Sequence, residues 1–467
     1  MRKIITSIFL ILIILNARAQ KITGSWSGKV KISEEKTLEF NFYISKDSDN
    51  YTTIIDIPTN RVTGLKPKTT IFKNDTLFIN GSNLGIKYEG VVNWNTQKIT
   101  GNFSEGGNTI PLSLEKLKEK PKAVARKPQE PIKPYPYKEE DVSFKNNAAD
   151  ITLAATFTKP NAKKKYPVVI LITGSGPQDR DQTFMGHKTF LVLADYLTRQ
   201  GIAVLRYDDR GTSESTGDFS AATTEDFAND VVAAVNYLKT RDDVDTQNIG
   251  LIGHSEGGII APLAANKMKN DIAFIVSLAG TGIIGSELVY NQVISMRAFP
   301  VPNEEAFNLS MRKAIDIASS SKDLPEIKLE LKEHYTKEVA PILRPMLGSE
   351  EKTEQIINGL IEARTTTWIR YFYKYNPADE YAKIKIPVLS LNGSKDTQVP
   401  AKIHQEGIRK ALEKAGNEKS EIIELEGLNH LFQVAGTGKM DEYIKIDQTF
   451  SPNALKIISN WILNHIK

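Results

Sequence analysis

From Ile22 to Leu117 the chain alternates hydrophobic and polar positions in short runs. TLEFNFYI, YTTIIDI, TLFING, IKYEGVVNW and QKITGNF place β-branched and aromatic residues between turns of Asn, Asp, Gly and Lys. About seven or eight strands in roughly 95 residues predict a small antiparallel barrel or sandwich. Trp26 stands between glycines in GSWSGKV, where it is expected to plug one end of that domain.

From Lys138 the pattern changes. PVVILITGS, IAVLRYDD, NIGLIGHS, IAFIVSLAG, PVLSLNGS and EIIELEG are almost continuously apolar, as strands buried on both faces are. Between them lie helical patterns: HKTFLVLADYLTRQG, TEDFANDVVAAVNYLKTR, EGGIIAPLAANKM and AKIHQEGIRKALEKAG. Ser451 and Pro452 mark the start of a last helix. This order predicts a mostly parallel central sheet covered by helices on both faces. Residues 282–376 carry a helical pattern with no buried strand, too long for a connection, and read as an inserted helical cap. Residues 118–137, KEKPKAVARKPQEPIKPYPY, hold five prolines and many charges, the composition of an extended linker with a solvated surface. The expected organisation is therefore an all-β domain over 20–117, a linker over 118–137 and an α/β domain over 138–467.

The N-terminus predicts export. Met1-Arg2-Lys3 is basic, Ile4 to Leu15 is apolar, and Ala17-Arg18-Ala19 places small residues before a cleavage point at Gln20. The apolar run is too short to span a bilayer comfortably. A signal peptide over 1–19 and a periplasmic or extracellular bacterial protein, without stable membrane insertion, are expected. The 467 residues contain no cysteine. That excludes a thiol nucleophile, thiolate metal sites and disulfides, so stability must come from burial. A net charge of +4 with no basic patch does not imply nucleic acid.

Gly253-His254-Ser255-Glu256-Gly257 is a Gly-x-Ser-x-Gly sequence between a predicted strand and a predicted helix. That context marks a nucleophile elbow, a turn so sharp that side chains at the glycine positions would clash with neighbouring backbone. Pro262, inside the following helix, predicts a kink. A serine hydroxyl needs a base, and the chain has six histidines. His187 is expected to open a helix, His254 to point away from the strand tip, His334 to lie in the cap, and His404 and His465 on helices. His430 alone follows a buried strand in a turn at its carboxyl end, the place for the base in the order Ser, Asp, His. Asp396, at the end of the strand before, is the candidate to orient it. The oxyanion donors are expected to be the backbone N–H groups of Glu256 and of Ser175, in the loop after VVILIT. For the Glu256 side chain, a salt bridge in the pocket wall and a substrate contact are both open. The loops GPQDRDQ and YDDRGTSEST are expected to hold each other by Arg–carboxylate pairs through Arg180 and Arg210. No metal and no cofactor are expected.

Gly174-Ser-Gly-Pro-Gln-Asp-Arg-Asp181, Tyr207-Asp-Asp-Arg-Gly211 and Gly253-His-Ser-Glu-Gly-Gly258 resemble the α/β-hydrolase superfamily. Within it the resemblance is to bacterial two-domain EstD-type carboxylesterases, relatives of the prolyl-oligopeptidase-like and acyl-thioesterase branches. It covers Lys138 to Lys467 and implies an α/β-hydrolase fold with Ser255, Asp396 and His430 as triad and Ser175 in the oxyanion loop. Thr173-Gly174 departs from the His-Gly of many relatives, and Ser213 stands where glycine is commoner. The N-terminal domain is similar only in the Gly-x-Trp entry of lipocalin-type barrels. The resemblance implies a serine esterase for small-molecule esters of short to medium acyl chains. A serine peptidase with the same triad is one alternative. A glycan- or ligand-binding protein, using the β domain and carrying an accessory hydrolase, is another. Trp368, Tyr371, Phe372, Tyr373 and Tyr375 end the cap. They lack a pure helical period, so some should pack the cap's own core and the rest wall the cleft.

Overall fold

The computed structural model describes residues 21–31, 37–48, 50–60, 62–81, 86–105, 108–118, 126–161, 165–296, 301 and 303–466. The expected export signal lies outside them. The described residues form two bodies.

The first is a closed barrel. Its strands are β1 (Gly24–Lys31), β2 (Thr37–Asp47), β3 (Asn50–Ile57), β4 (Val62–Leu65), β5 (Thr69–Lys73), β6 (Thr76–Gly81), β7 (Ile86–Asn93), β8 (Lys98–Glu105) and β9 (Asn108–Lys116). The antiparallel order β2-β1-β9-β8-β7-β6-β5-β3 closes through β2–β3 pairing, and β4 attaches to β3 outside the ring. Closure decides between the barrel and the sandwich. Alternation drives it: on β7 the positions Ile86, Tyr88, Gly90 and Val92 face inward and their neighbours outward. Trp26, Phe40, Phe42, Tyr88 and Phe103 fill the interior. Phe40 packs on Phe103 with ring centroids 4.8 Å apart, and Phe42 meets Tyr88 edge-on at 5.1 Å. An eight-stranded barrel is just wide enough for side chains to fill. Trp26 is buried and donates its indole N–H to the Ile22 carbonyl at 2.7 Å, tying the entering chain to the barrel end.

The second body is an eight-stranded sheet. Its strands are β10 (Lys138–Asn146), β11 (Ile151–Lys159), β12 (Tyr166–Ile172), β15 (Ala203–Tyr207), β16 (Val244–His254), β17 (Phe274–Leu278), β18 (Val388–Gly393) and β19 (Ser420–Leu425). A small hairpin, β13 (Thr183–Phe184) and β14 (His187–Lys188), stands apart. The sheet order is β10-β11-β15-β12-β16-β17-β18-β19, antiparallel up to β15 and parallel from there on. This is the α/β-hydrolase fold. Helices α1 (Thr189–Arg199) and α13 (Pro452–His465) cover one face, and α2 (Thr224–Lys239), α3 (Gly257–Met268) and α11 (Ala401–Lys414) the other. Strand β12 shows why the sequence is continuously apolar: Val168, Ile170 and Ile172 enter one core and Val169 and Leu171 the other.

The cap comprises α4 (Gly285–Ser295), α5 (Glu304–Ala318), α6 (Leu324–Glu338), α7 (Ala340–Leu347), α8 (Glu350–Thr365) and α9 (Thr367–Lys374), with its own core of Met311, Ile315, Leu331, Tyr335 and Tyr373. The short α10 (Pro377–Tyr381) and α12 (Met440–Tyr443) complete the helices. Among the described residues no helix is long and apolar enough to cross a membrane.

Helix α3 includes Pro262, and two other local expectations change. The Gly258 carbonyl, which a residue with an N–H at 262 would satisfy, instead accepts from the Tyr381 hydroxyl at 2.6 Å. His187 precedes α1 in the hairpin and is buried against Thr449 and the Tyr443 carbonyl, so it does not open the helix. The second half of the proline-rich segment is strapped down. Gln129 accepts from the backbone N–H groups of Thr449 and Phe450 at 2.6 and 3.0 Å and donates to the Phe450 carbonyl at 2.8 Å. Lys127, 2% exposed, reaches the Ile446 carbonyl and Asp447. Its charge is held there by acceptors rather than by solvent.

Candidate active site

Strand β16 delivers Ser255 at the carboxyl edge of the sheet with φ +55°, a left-handed conformation that a non-glycine residue adopts only under constraint. Its own N–H donates to the Leu278 carbonyl of β17 at 2.8 Å, which holds the turn. The flanking glycines are required by contact. A Cβ on Gly253 would lie 1.9 Å from the Gly257 carbonyl oxygen, and one on Gly257 would lie 2.2 Å from that of Ile172. Glu256 follows as the residue capping α3. A recess of about 30 Å³ opens beside Ser255, lined by Ser175, Glu256, Thr281, Leu288, Trp368 and Phe372 among others.

His430 lies in the turn after β19. The Asn429 side chain accepts from the N–H groups of Leu431 and Gln433 at 3.0 and 2.9 Å, which shapes that turn. Asp396 follows β18 and is buried. One of its oxygens accepts from the backbone N–H of Gln398 and Val399 at 2.9 and 2.8 Å, and the other faces His430 Nδ1 at 2.7 Å. The carboxylate is thus fixed by two backbone donors and aimed at the ring by its second oxygen.

His254 is the residue that sequence reasoning undervalued. It does turn away from the strand tip, but into the site's own framework. It is buried and hydrogen-bonds the His430 backbone carbonyl through Nε2 at 2.9 Å, while Nδ1 faces the Gln182 amide at 2.8 Å. Because a carbonyl only accepts, Nε2 carries the proton and Nδ1 accepts from Gln182. Burial, with the neighbouring His430 ring, pushes its pKa down to about 3, so it stays neutral. The residue before Ser255 therefore anchors the loop bearing His430. His404 is also buried and neutral, its pKa lowered by burial to about 4, with Nδ1 2.7 Å from the hydroxyl of Thr281 in the recess wall. Both were visible only as histidines of unassigned role.

The loop after β12 that carries Ser175 is braced from YDDRG. Asp208 takes a bidentate contact from Arg180 at 3.1 and 2.6 Å, and Arg180 also reaches Glu214 at 2.8 Å. Asp209 accepts from the Thr173 hydroxyl at 2.6 Å and the Gln178 N–H at 3.0 Å. Burial raises its pKa well above the usual range. The expected pairing between the two loops thus holds for Arg180. Arg210 turns inward instead and binds Asp230 of α2 at 2.7 and 2.8 Å. Its side chain is buried at α2, where Asp230 is its near partner and Asp226 a second, at 3.7 Å.

Among the described residues the Glu256 side chain makes no salt bridge. It is buried, and Oε1 accepts from Trp368 Nε1 at 2.8 Å and from the Thr224 hydroxyl at 2.7 Å; the carboxylate also hydrogen-bonds the Ser175 side chain. Burial raises its pKa. The cap's aromatics divide by helical spacing. Trp368 and Phe372, four apart and stacked at 4.9 Å, face the recess. Tyr373 joins the cap core, and Tyr371 turns to Glu225 of α2 at 3.2 Å.

Comparison with known proteins bears on this site. Esterase EstD of Thermotoga maritima is 27% identical over 319 residues, which cover 67% of this chain and 65% of that protein. An uncharacterised 31.7 kDa protein of Escherichia coli is 31% identical over 108 residues, covering 23% of this chain and 35% of its own length. The chain therefore spans less than two thirds of the length of either relative. Among solved structures, a Pyrococcus furiosus esterase aligns at 15% identity and a TM-score of 0.44, covering 73% of this chain and 98% of its own. Est1E from Butyrivibrio proteoclasticus, with ferulic acid bound, aligns at 18% identity and a TM-score of 0.41, covering 69% and 98%. The X-Pro dipeptidyl-peptidase (S15 family) model matches residues 150–411, more than half of the 467 residues, and takes in the strand, elbow and loops that position Ser255 and Asp396. The chain belongs to the X-Pro dipeptidyl-peptidase (S15) family.

Proposed function

We propose that this protein is a serine hydrolase that cleaves carboxylic esters of short to medium acyl chains. Ser255 Oγ attacks the ester carbonyl and His430 takes its proton. Asp396 keeps the imidazole oriented and balances the charge that forms on it. The backbone N–H groups of Glu256 and Ser175 receive the oxyanion. His430 then protonates the leaving alcohol, and water, activated by the same ring, releases the acid from the acyl-enzyme. The observation that carries this reading is the conjunction of a strained serine at φ +55° with a His430–Asp396 pair at 2.7 Å, the two joined through His254.

The recess supports an ester more than a peptide. Leu288, Val289, Phe372 and Val399 give it apolar walls, and its one carboxylate, Glu256, is already engaged by Trp368 and Thr224. A peptide amino terminus needs an acceptor that is free to receive it. The family description favours a second reading, a dipeptidyl-peptidase with the same triad. Measuring kcat/KM for aryl esters with acyl chains of two to about eight carbons, a range set by ordinary pocket sizes, and for aminoacyl and X-Pro anilides on one preparation separates the two. Faster turnover of the anilides discards the esterase reading. Export to the periplasm or exterior belongs to the same proposal, and rests on the pattern of residues 1–19; fractionation of expressing cells tests it. The barrel interior is filled by aromatic side chains, so a ligand or glycan role for that domain would fall to its outer surface.

A further inference from the structure

Glu256 joins three parts of the molecule that sequence keeps far apart. Its carboxylate is 3% exposed. It accepts hydrogen bonds from Trp368 on cap helix α9, from Thr224 at the first turn of α2, and from the side chain of Ser175 in the loop after β12. No cation is among these partners. A buried carboxylate without a cation costs several kcal/mol of desolvation unless donors surround it. This one depends on all three. It also sits on the residue next to Ser255, at the start of α3, so its backbone cannot follow any of its partners.

We propose that Glu256 is a positioning residue that couples closure of the cap over Ser255 to alignment of Ser175 in the oxyanion loop. The recess is small and walled on one side by Trp368 and Phe372, so an ester must displace the cap to enter. When α9 swings away, the Trp368 N–H leaves the carboxylate. Water then competes for Oε1, the oxygen that Trp368 and Thr224 share, and for the contact with Ser175. The Ser175 side chain loses a fixed anchor, and its backbone N–H loses a fixed direction. When α9 returns over bound substrate, the indole re-engages, water is expelled, and the carboxylate again pins Ser175. Closure thus assembles the donor just when the carbonyl is in place. The inference rests on the serine hydrolase reading, because it assigns the Glu256 side chain no chemistry of its own.

The test is a double-mutant cycle on kcat. Trp368→Phe keeps the aromatic wall and removes the N–H, and Ser175→Ala keeps the backbone donor and removes the anchor. Each should lower kcat about tenfold with KM changed less than about threefold, and the pair should lower it little further. In a Glu256→Met background, which fills the volume without accepting hydrogen bonds, the two changes should add nothing to the loss already present. Glu256→Gln, which still accepts from the indole, should recover most of the rate. A merely structural role would lower Tm in step with activity and leave the kcat of the folded fraction unchanged. Multiplicative losses in the Trp368–Ser175 pair, or the same coupling in Glu256→Met, would overturn the proposal. Wild-type protein that fluorophosphonate does not label at Ser255 would instead overturn the hydrolase reading beneath it.

Discussion

The barrel and the hydrolase body solve the same packing problem with different materials. Within the barrel the buried residues are apolar, joined by uncharged Asn41, Thr53 and Thr70. Its left-handed residues, such as Asn74 and Asp75, turn hairpins where strands reverse. The hydrolase body buries Arg206, Asp208, Asp209, Arg210, Asp230, Glu256 and Asp396, together with four of the chain's six histidines. Its left-handed Asp150 turns the β10–β11 hairpin as in the barrel, but left-handed Ser255, Ala279 and Phe432 lie at or beside the site. Packing alone requires none of this, since a buried charge or a strained residue destabilises unless its surroundings compensate. Where ionisable groups and strain converge, the fold serves chemistry. Where alternation suffices, it serves itself.

The difference can be broken most forcefully at Ser255. Ser255→Ala should lower ester turnover by about four to six orders of magnitude and leave Tm nearly unchanged, and His430→Ala should lower turnover as far. Labelling of Ser255→Ala by fluorophosphonate at another residue would show that the strain marks something other than the nucleophile. Asp396→Asn should cost less, about three to four orders, because the base survives with its orientation impaired. A silent Asp396→Asn would separate the 2.7 Å contact from catalysis.

Acid offers a milder probe. His254 is held neutral in the folded state down to about pH 3, whereas in the unfolded chain it takes a proton near its ordinary value of 6.5. Between those values the unfolded state binds more protons, so stability present above pH 6.5 is lost as pH falls, by about 1.4 kcal/mol per pH unit in mid-window. The barrel carries no histidine. Thermal unfolding followed from pH 7 to 4 should show His254→Gln losing stability less steeply than the parent. Equal slopes would contradict the neutral, buried assignment. Least effect is expected from removing the barrel. Deleting residues 21–125 while keeping the strap should leave kcat/KM for a small aryl ester within about threefold. Complete loss in a folded product would make the barrel part of the active site.

Much of this was legible in the sequence, for physical reasons that differ by residue. The places of Ser255, Asp396 and His430 at strand ends could be read because the sharp turn and the strand ends obey backbone rules that leave marks in composition: glycines where a Cβ cannot fit, and apolar runs that stop at the carboxyl edge of the sheet. Closure of the barrel was not legible, since alternation is the same in a barrel and a sandwich. The partners of Glu256 and His254 were hidden because they are distant in the chain: Trp368 lies 112 residues from Glu256, and the His430 carbonyl 176 from His254. Arg210 was assigned to the wrong anion because Asp230 lies on a helix whose buried face periodicity alone did not distinguish. The strap was missed because proline and lysine content describes what a segment cannot bury by itself, and Gln129 is fastened by the backbone of residues 449 and 450.

That strap also sets an order of events. Gln129 and its Phe450 partner are 321 residues apart. As the chain is made, the barrel has every residue it needs long before the strap has anywhere to bind. Lys127 and Gln129 must wait unpaired with the C-terminal region until residues 446–450 have emerged and packed, whereas Tyr137 already has Asp195 as a partner. Their protection from protease during refolding therefore works as a clock for the hydrolase body: cleavage early, resistance late, with the barrel already resistant throughout.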